Sequence, residues 1–108
     1  MAAGLKWHPV AGTDEIARGE VKYVAMDDRE IALFNVDGTY YATDDTCTHM
    51  GARLSDGYIE GDIVECPLHF GKFNIRTGKA SSAPCTIDLR SYPVRVEGTT
   101  VSIGLPVE

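Results

Sequence analysis

Apolar and polar residues alternate in short runs along this chain, and the runs are cut at close intervals by Gly and Asp. A period of two is the signature of a half-buried strand, and no window shows helical periodicity of useful length. Strands are predicted over 21–26 and 30–36. Asp37-Gly38 then gives a strong two-residue hairpin signal into 39–42. The stretch 58–65 reads as a strand pair around Gly61, and 73–75 as a strand before a turn at Thr77-Gly78. Beyond Pro84 the alternation resumes over 91–96, turns at 97–100 and continues over 101–103. Residues 14–18 have room for one short helical turn at most. The fold class expected is all-β: a small antiparallel β-sandwich.

A length of 108 residues, with 44% hydrophobic and 24% charged positions, supports one hydrophobic core region and hence a single domain over 1–108. Sixteen acidic against ten basic side chains give a formal charge of -6, which argues against nucleic acid and anionic membrane surfaces as partners. A basic protein partner is the natural complement, although acidity of this size also serves solubility alone. No apolar stretch is long enough to span a bilayer, and the N-terminal residues lack the apolar region of a secretion signal. Three cysteines do not make an even-numbered disulfide framework. The expectation is an unanchored, monomeric cytoplasmic protein.

The chemistry lies in two paired motifs, Cys47-Thr48-His49 and Cys66-Pro67-Leu68-His69. Thiolates are soft, negative ligands that hold ferric iron, whereas imidazoles are neutral. Two Cys on one iron and two His on the other make the ligand set of a Rieske [2Fe–2S] centre. Cys47 and Cys66 are therefore assigned to the inner iron, and His49 and His69 to the outer. Both pairs fall at predicted strand ends, within an inserted cluster-binding part at 44–86.

A closed zinc site also uses Cys₂His₂, but its ligands are usually paired Cys with Cys and His with His. Here each pair mixes the two, and the single-residue spacer of Cys47-Thr48-His49 is too short for that pattern. A catalytic Cys-His pair needs only one thiol and one base, so two such pairs at matched offsets would be a coincidence. Cys85 lies outside the motif and reads as a small buried hydrophobe. His8, between Trp7 and Pro9, reads as a surface or packing residue. Arg53 and Lys72 flank the motifs and either meet a partner's acidic groups or stay solvated.

The run 47–57, with 66–73 and 78–84, closely resembles the Rieske-type ferredoxins of bacterial aromatic-ring-hydroxylating dioxygenase systems. The resemblance covers nearly the whole chain. It implies a Rieske iron–sulfur fold, one [2Fe–2S] cluster, and a shuttle in place of a catalyst. In that family the ferredoxin takes one electron at a time from an NAD(P)H-dependent flavoprotein reductase and delivers it to a terminal oxygenase. A Rieske subunit of another oxidoreductase complex is the alternative, with a structural zinc module behind it.

Quinol-oxidising Rieske proteins carry an extra Cys in each loop, joined as a disulfide, where this chain has Met50-Gly51 and Leu68. They also carry Ser and Tyr hydroxyls five and seven residues after the second ligand Cys, where Gly71 and Phe73 stand here. Fewer hydroxyl donors leave more electron density on sulfur. The expected potential is thus at the low end of the Rieske range, about -150 mV. Met50, Leu68, Phe70 and Pro84 are expected to form a small apolar docking patch around the two imidazoles.

Overall fold

The computed structural model describes residues 4–26, 29–46, 52–67, 71–82 and 88–106. Eleven strands occur among them: β1 (Leu5–Gly12), β2 (Val21–Met26), β3 (Arg29–Val36), β4 (Thr39–Asp44), β5 (Tyr58–Glu60), β6 (Ile63–Glu65), β7 (Lys72–Asn74), β8 (Ala80–Ser82), β9 (Ser91–Tyr92), β10 (Val94–Glu97) and β11 (Thr100–Pro106). One 3₁₀ turn, Leu54–Asp56, is the sole helical element described. No described helix is long and apolar enough to cross a membrane.

The strands form three antiparallel sheets, ordered β1-β11-β10, β2-β3-β4-β9 and β5-β6-β7-β8. The all-β reading is borne out, as is the sandwich with a further sheet inserted between β4 and β9. The centre of this arrangement is β3. Ile31 and Leu33 on one face join Val24, Ala42, Tyr92, Val101, Ile103 and Leu105 in the core between the first two sheets. Ala32, Phe34 and Val36 on the other face join Leu54, Val64, Cys66, Phe73 and Ile75 in a second core beneath the inserted sheet. Side chains alternate across a strand, so a strand buried on both faces must be an unbroken apolar run. The polar exception is Asn35, whose buried amide donates to the Ile16 carbonyl at 2.8 Å and accepts from Gly38 N–H at 2.8 Å.

The Asp37-Gly38 hairpin forms as the sequence predicts, with φ of 51° and 94°; both central residues of a type I′ turn need positive φ. Three features differ from the sequence expectation. Leu5–Gly12 is a strand although its pattern does not alternate: Pro9 interrupts it, and the register against β11 shifts between Pro9 and Ala11. This is tolerated because β1 is an edge strand. The single strand predicted over 91–96 is two, since Pro93 has no N–H to continue a ladder. The chain there passes from β9, paired with β4, to β10, paired with β11, so one short segment stitches the two sandwich sheets together. Ala80–Ser82 pairs with β7 despite weak strand propensity. Residues 14–18 contain bends and no helix.

Candidate metal centre

Of the four predicted ligands, Cys66 lies among the described residues; Cys47, His49 and His69 do not, nor do Met50, Leu68, Phe70, Pro84 and Cys85. The geometry is therefore that of the frame on which the two loops stand. Among the described residues no group of three or more His, Cys, Asp or Glu side chains converges as a metal site would.

The second loop is the tip of the β6–β7 hairpin. Tyr58, Glu65 and Lys72 lie in register across β5, β6 and β7. One residue further on, Cys66 N–H donates to the Gly71 carbonyl at 2.8 Å and extends the pairing of β6 with β7 by one step. Cys66 is fully buried and packs in the second core, together with Phe73, which is also 0% exposed. Its sulfur thus sits at the apolar end of a strand pair whose other face carries Glu65 and Lys72.

The first loop leaves β4 and returns through the 3₁₀ turn, and its neck is closed by several bonds. Thr46 bridges Arg53, and the Asp45 carbonyl accepts from Leu54 N–H at 2.7 Å. Asp45 Oδ1 accepts from Ser55 N–H at 2.8 Å, and Asp45 N–H donates to the Glu30 carbonyl at 2.9 Å. The Asp45 carboxylate is 0% exposed, and its Oδ2 has no hydrogen-bond partner among the described residues. Arg53 does not simply reach into solvent: its guanidinium lies over the Tyr23 ring, 4.4 Å from the centroid, and so ties the loop's exit to β2. Lys72 is exposed.

The chain after the first loop and the chain before the second meet at Gly57. A Cβ built there would lie 2.2 Å from the Glu65 carbonyl oxygen, so a residue with any side chain would push apart the exit of the first loop and the entrance of the second. Leu89 N–H donates to the Gly78 carbonyl at 2.7 Å and Ala80 N–H donates to Asp88 Oδ1 at 2.9 Å, tying the chain after 83–87 back to β7 and β8. Sequence reasoning singles out neither Asp45 nor Gly57. In the run Asp44-Asp45-Thr46 nothing distinguishes the buried carboxylate from its neighbour, and a glycine before a predicted strand reads as an ordinary turn.

A buried cysteine at a hairpin tip, beside a second loop drawn in by glycine, fits a thiolate-ligated inorganic cluster, because such a site excludes water and fixes its ligands on rigid strands. Residues 6–93 match the family of the Rieske [2Fe-2S] domain. This chain belongs to that family. It carries one Rieske [2Fe–2S] cluster, in keeping with the Cys and His motifs of its sequence. The chain is 46% identical over 101 residues to the ferredoxin component of a naphthalene 1,2-dioxygenase system from Pseudomonas putida, covering 94% of this chain and 97% of that one. It superposes on a Sphingomonas yanoikuyae B1 ferredoxin with a TM-score of 0.89 at 39% identity, over 94% of this chain and all of the other. A chain from the complex of reduced oxygenase and oxidized ferredoxin in carbazole 1,9a-dioxygenase matches with a TM-score of 0.87 at 38% identity, over 90% of this chain and 91% of that one. Relatives of about the same length are named ferredoxin components of dioxygenase systems, and this chain is likewise an electron-carrying component and not a catalytic enzyme.

Proposed function

We propose that this chain is a cytoplasmic one-electron carrier between an NAD(P)H-dependent flavoprotein reductase and the terminal oxygenase of an aromatic-ring-hydroxylating dioxygenase. In this reading Cys47, His49, Cys66 and His69 hold the cluster, within a cluster-binding part spanning 44–86 of a single domain. The observation that carries it is the match along 97% of the length of a naphthalene dioxygenase ferredoxin component. When bound, the cluster supplies reversible one-electron chemistry at a potential set by its surroundings. The chain's own part is to hold the ligands still, keep water from the sulfurs and present an edge to each partner.

The low potential is supported by what stands near Cys66. Gly71 offers its carbonyl to Cys66 N–H and has no hydroxyl, and Phe73 is buried beside Cys66 in one apolar core. An EPR-monitored redox titration of the anaerobically purified protein tests the reading: a Rieske signal titrating near about -150 mV is expected. A value toward about +300 mV would indicate quinol-type chemistry, and a colourless zinc protein would end the proposal. Installing both donors, as Gly71→Ser with Phe73→Tyr, should move the midpoint upward in the same titration.

A further inference from the structure

Asp45 is the most conspicuous polar group in the interior that the function leaves unused. Its side chain is 0% exposed, yet among the described residues Oδ1 has a single donor and Oδ2 none. Burying a carboxylate so poorly satisfied is costly, and an apolar residue of similar size would be cheaper if core filling were the whole role. Its bonds fall on both sides of the first loop. From before the loop Asp45 reaches Leu54 and Ser55 after it, and its N–H anchors the same point to the Glu30 carbonyl at the edge of the sandwich. Thr46, the residue between Asp45 and Cys47, completes the neck by bridging Arg53.

We propose that Asp45 is a positioning residue for the iron–sulfur centre, its carboxylate clamping the neck of the loop that bears Cys47 and His49 through Ser55. The proposal rests on the reading of Cys47 and His49 as ligands. Removal of groups that orient metal ligands commonly weakens metal retention about 10- to 100-fold. A residue that only stabilises the fold would lower the melting temperature without altering the spectrum of the protein that remains folded.

The test compares purified holoprotein of the wild type, Asp45→Ala and Asp45→Asn by EPR line shape and by the rate of iron loss to a chelator. Asp45→Ala is expected to broaden the Rieske signal and to release iron about 10-fold faster or more. Asp45→Asn keeps an oxygen acceptor for Ser55 N–H and is expected to restore both readouts to near the wild-type values. Wild-type line shape and release rate in Asp45→Ala, even with a lower melting temperature, would overturn the clamp, as would an Asp45→Asn protein as defective as Asp45→Ala. If Asp45→Ala does not accumulate folded, Asp45→Ser replaces it, with release no faster than the wild type overturning the inference and a faster one supporting it. A wild type without any Rieske signal would remove the ligand reading itself, an outcome visible before any variant is made.

Discussion

Tyr92 shows how much a single side chain in this fold can couple. It is 7% exposed, its hydroxyl donates to Asp44 Oδ1 at 2.5 Å, and Arg29 donates to the same hydroxyl at 3.1 Å. Burial pushes the phenol above its ordinary value of 10.0; the hydrogen bond to Asp44 adds to this and Arg29 opposes it. The sign of the pH dependence follows. Below pH 10 or so the phenol is neutral in both folded and unfolded chains, so the stabilising arrangement is fully present. Above that value the unfolded chain loses its proton first, and stability falls as pH rises through the folded value. Tyr92→Phe should cost about 1 kcal/mol near neutrality, through lost bonds to Asp44 and Arg29, and should lose less stability than wild type between neutral and strongly alkaline pH. Urea unfolding midpoints of the two proteins across that range check both halves. No residue-level signal in the sequence announces this triad, because Arg29 and Tyr92 are far apart along the chain and meet only through strand pairing.

At the scale of elements, legibility tracks how local the deciding interaction is. The hairpin at Asp37-Gly38 and the strands 21–26 and 30–36 are set by neighbours in sequence, and both partners of each signal stand within a few residues. β1 is set by β11, at the far end of the chain, which holds a proline-interrupted segment in place. The split at Pro93 was readable in principle, since a proline cannot serve the middle of a ladder, but the alternation on either side of it masks the break. The two Cys-His motifs behind the Rieske reading were legible because coordination chemistry restricts residue type and spacing together. Their frame was not, since Gly57 and Asp45 act through distant backbone. Gly57→Ala is expected to lower the iron content of the purified protein, because its Cβ meets the Glu65 carbonyl one residue before Cys66. Gly61→Asn is the comparison: Gly61 has φ of 61° with open space around it, and Asn tolerates that conformation. Iron and sulfide assays should show loss in the first variant and not in the second.

At the scale of the whole molecule, the two hydrophobic cores are not separable bodies, because β3 supplies side chains to both. Residues that hold the inserted sheet in place, such as Phe34, alternate with residues that hold the sandwich, such as Leu33. Loss of the cluster should therefore be felt throughout. Thermal unfolding of the holoprotein, followed in parallel by far-ultraviolet circular dichroism and by cluster absorbance, is expected to give coincident transitions, with the apoprotein melting lower in a single step. Two well-separated transitions would show that the inserted sheet melts on its own.

That shared strand also constrains what sequence change the protein can absorb. Most strands in a sandwich have a solvent side on which residues drift freely, but 31–36 offers none, and each position there is enclosed by one core or the other. A substitution on either face perturbs one core directly and the other through the backbone they share. Tuning the redox loops by mutation is thus best begun on β5 to β7, whose outer face is open, and the wall behind them, β3, has the least freedom to vary among the described strands.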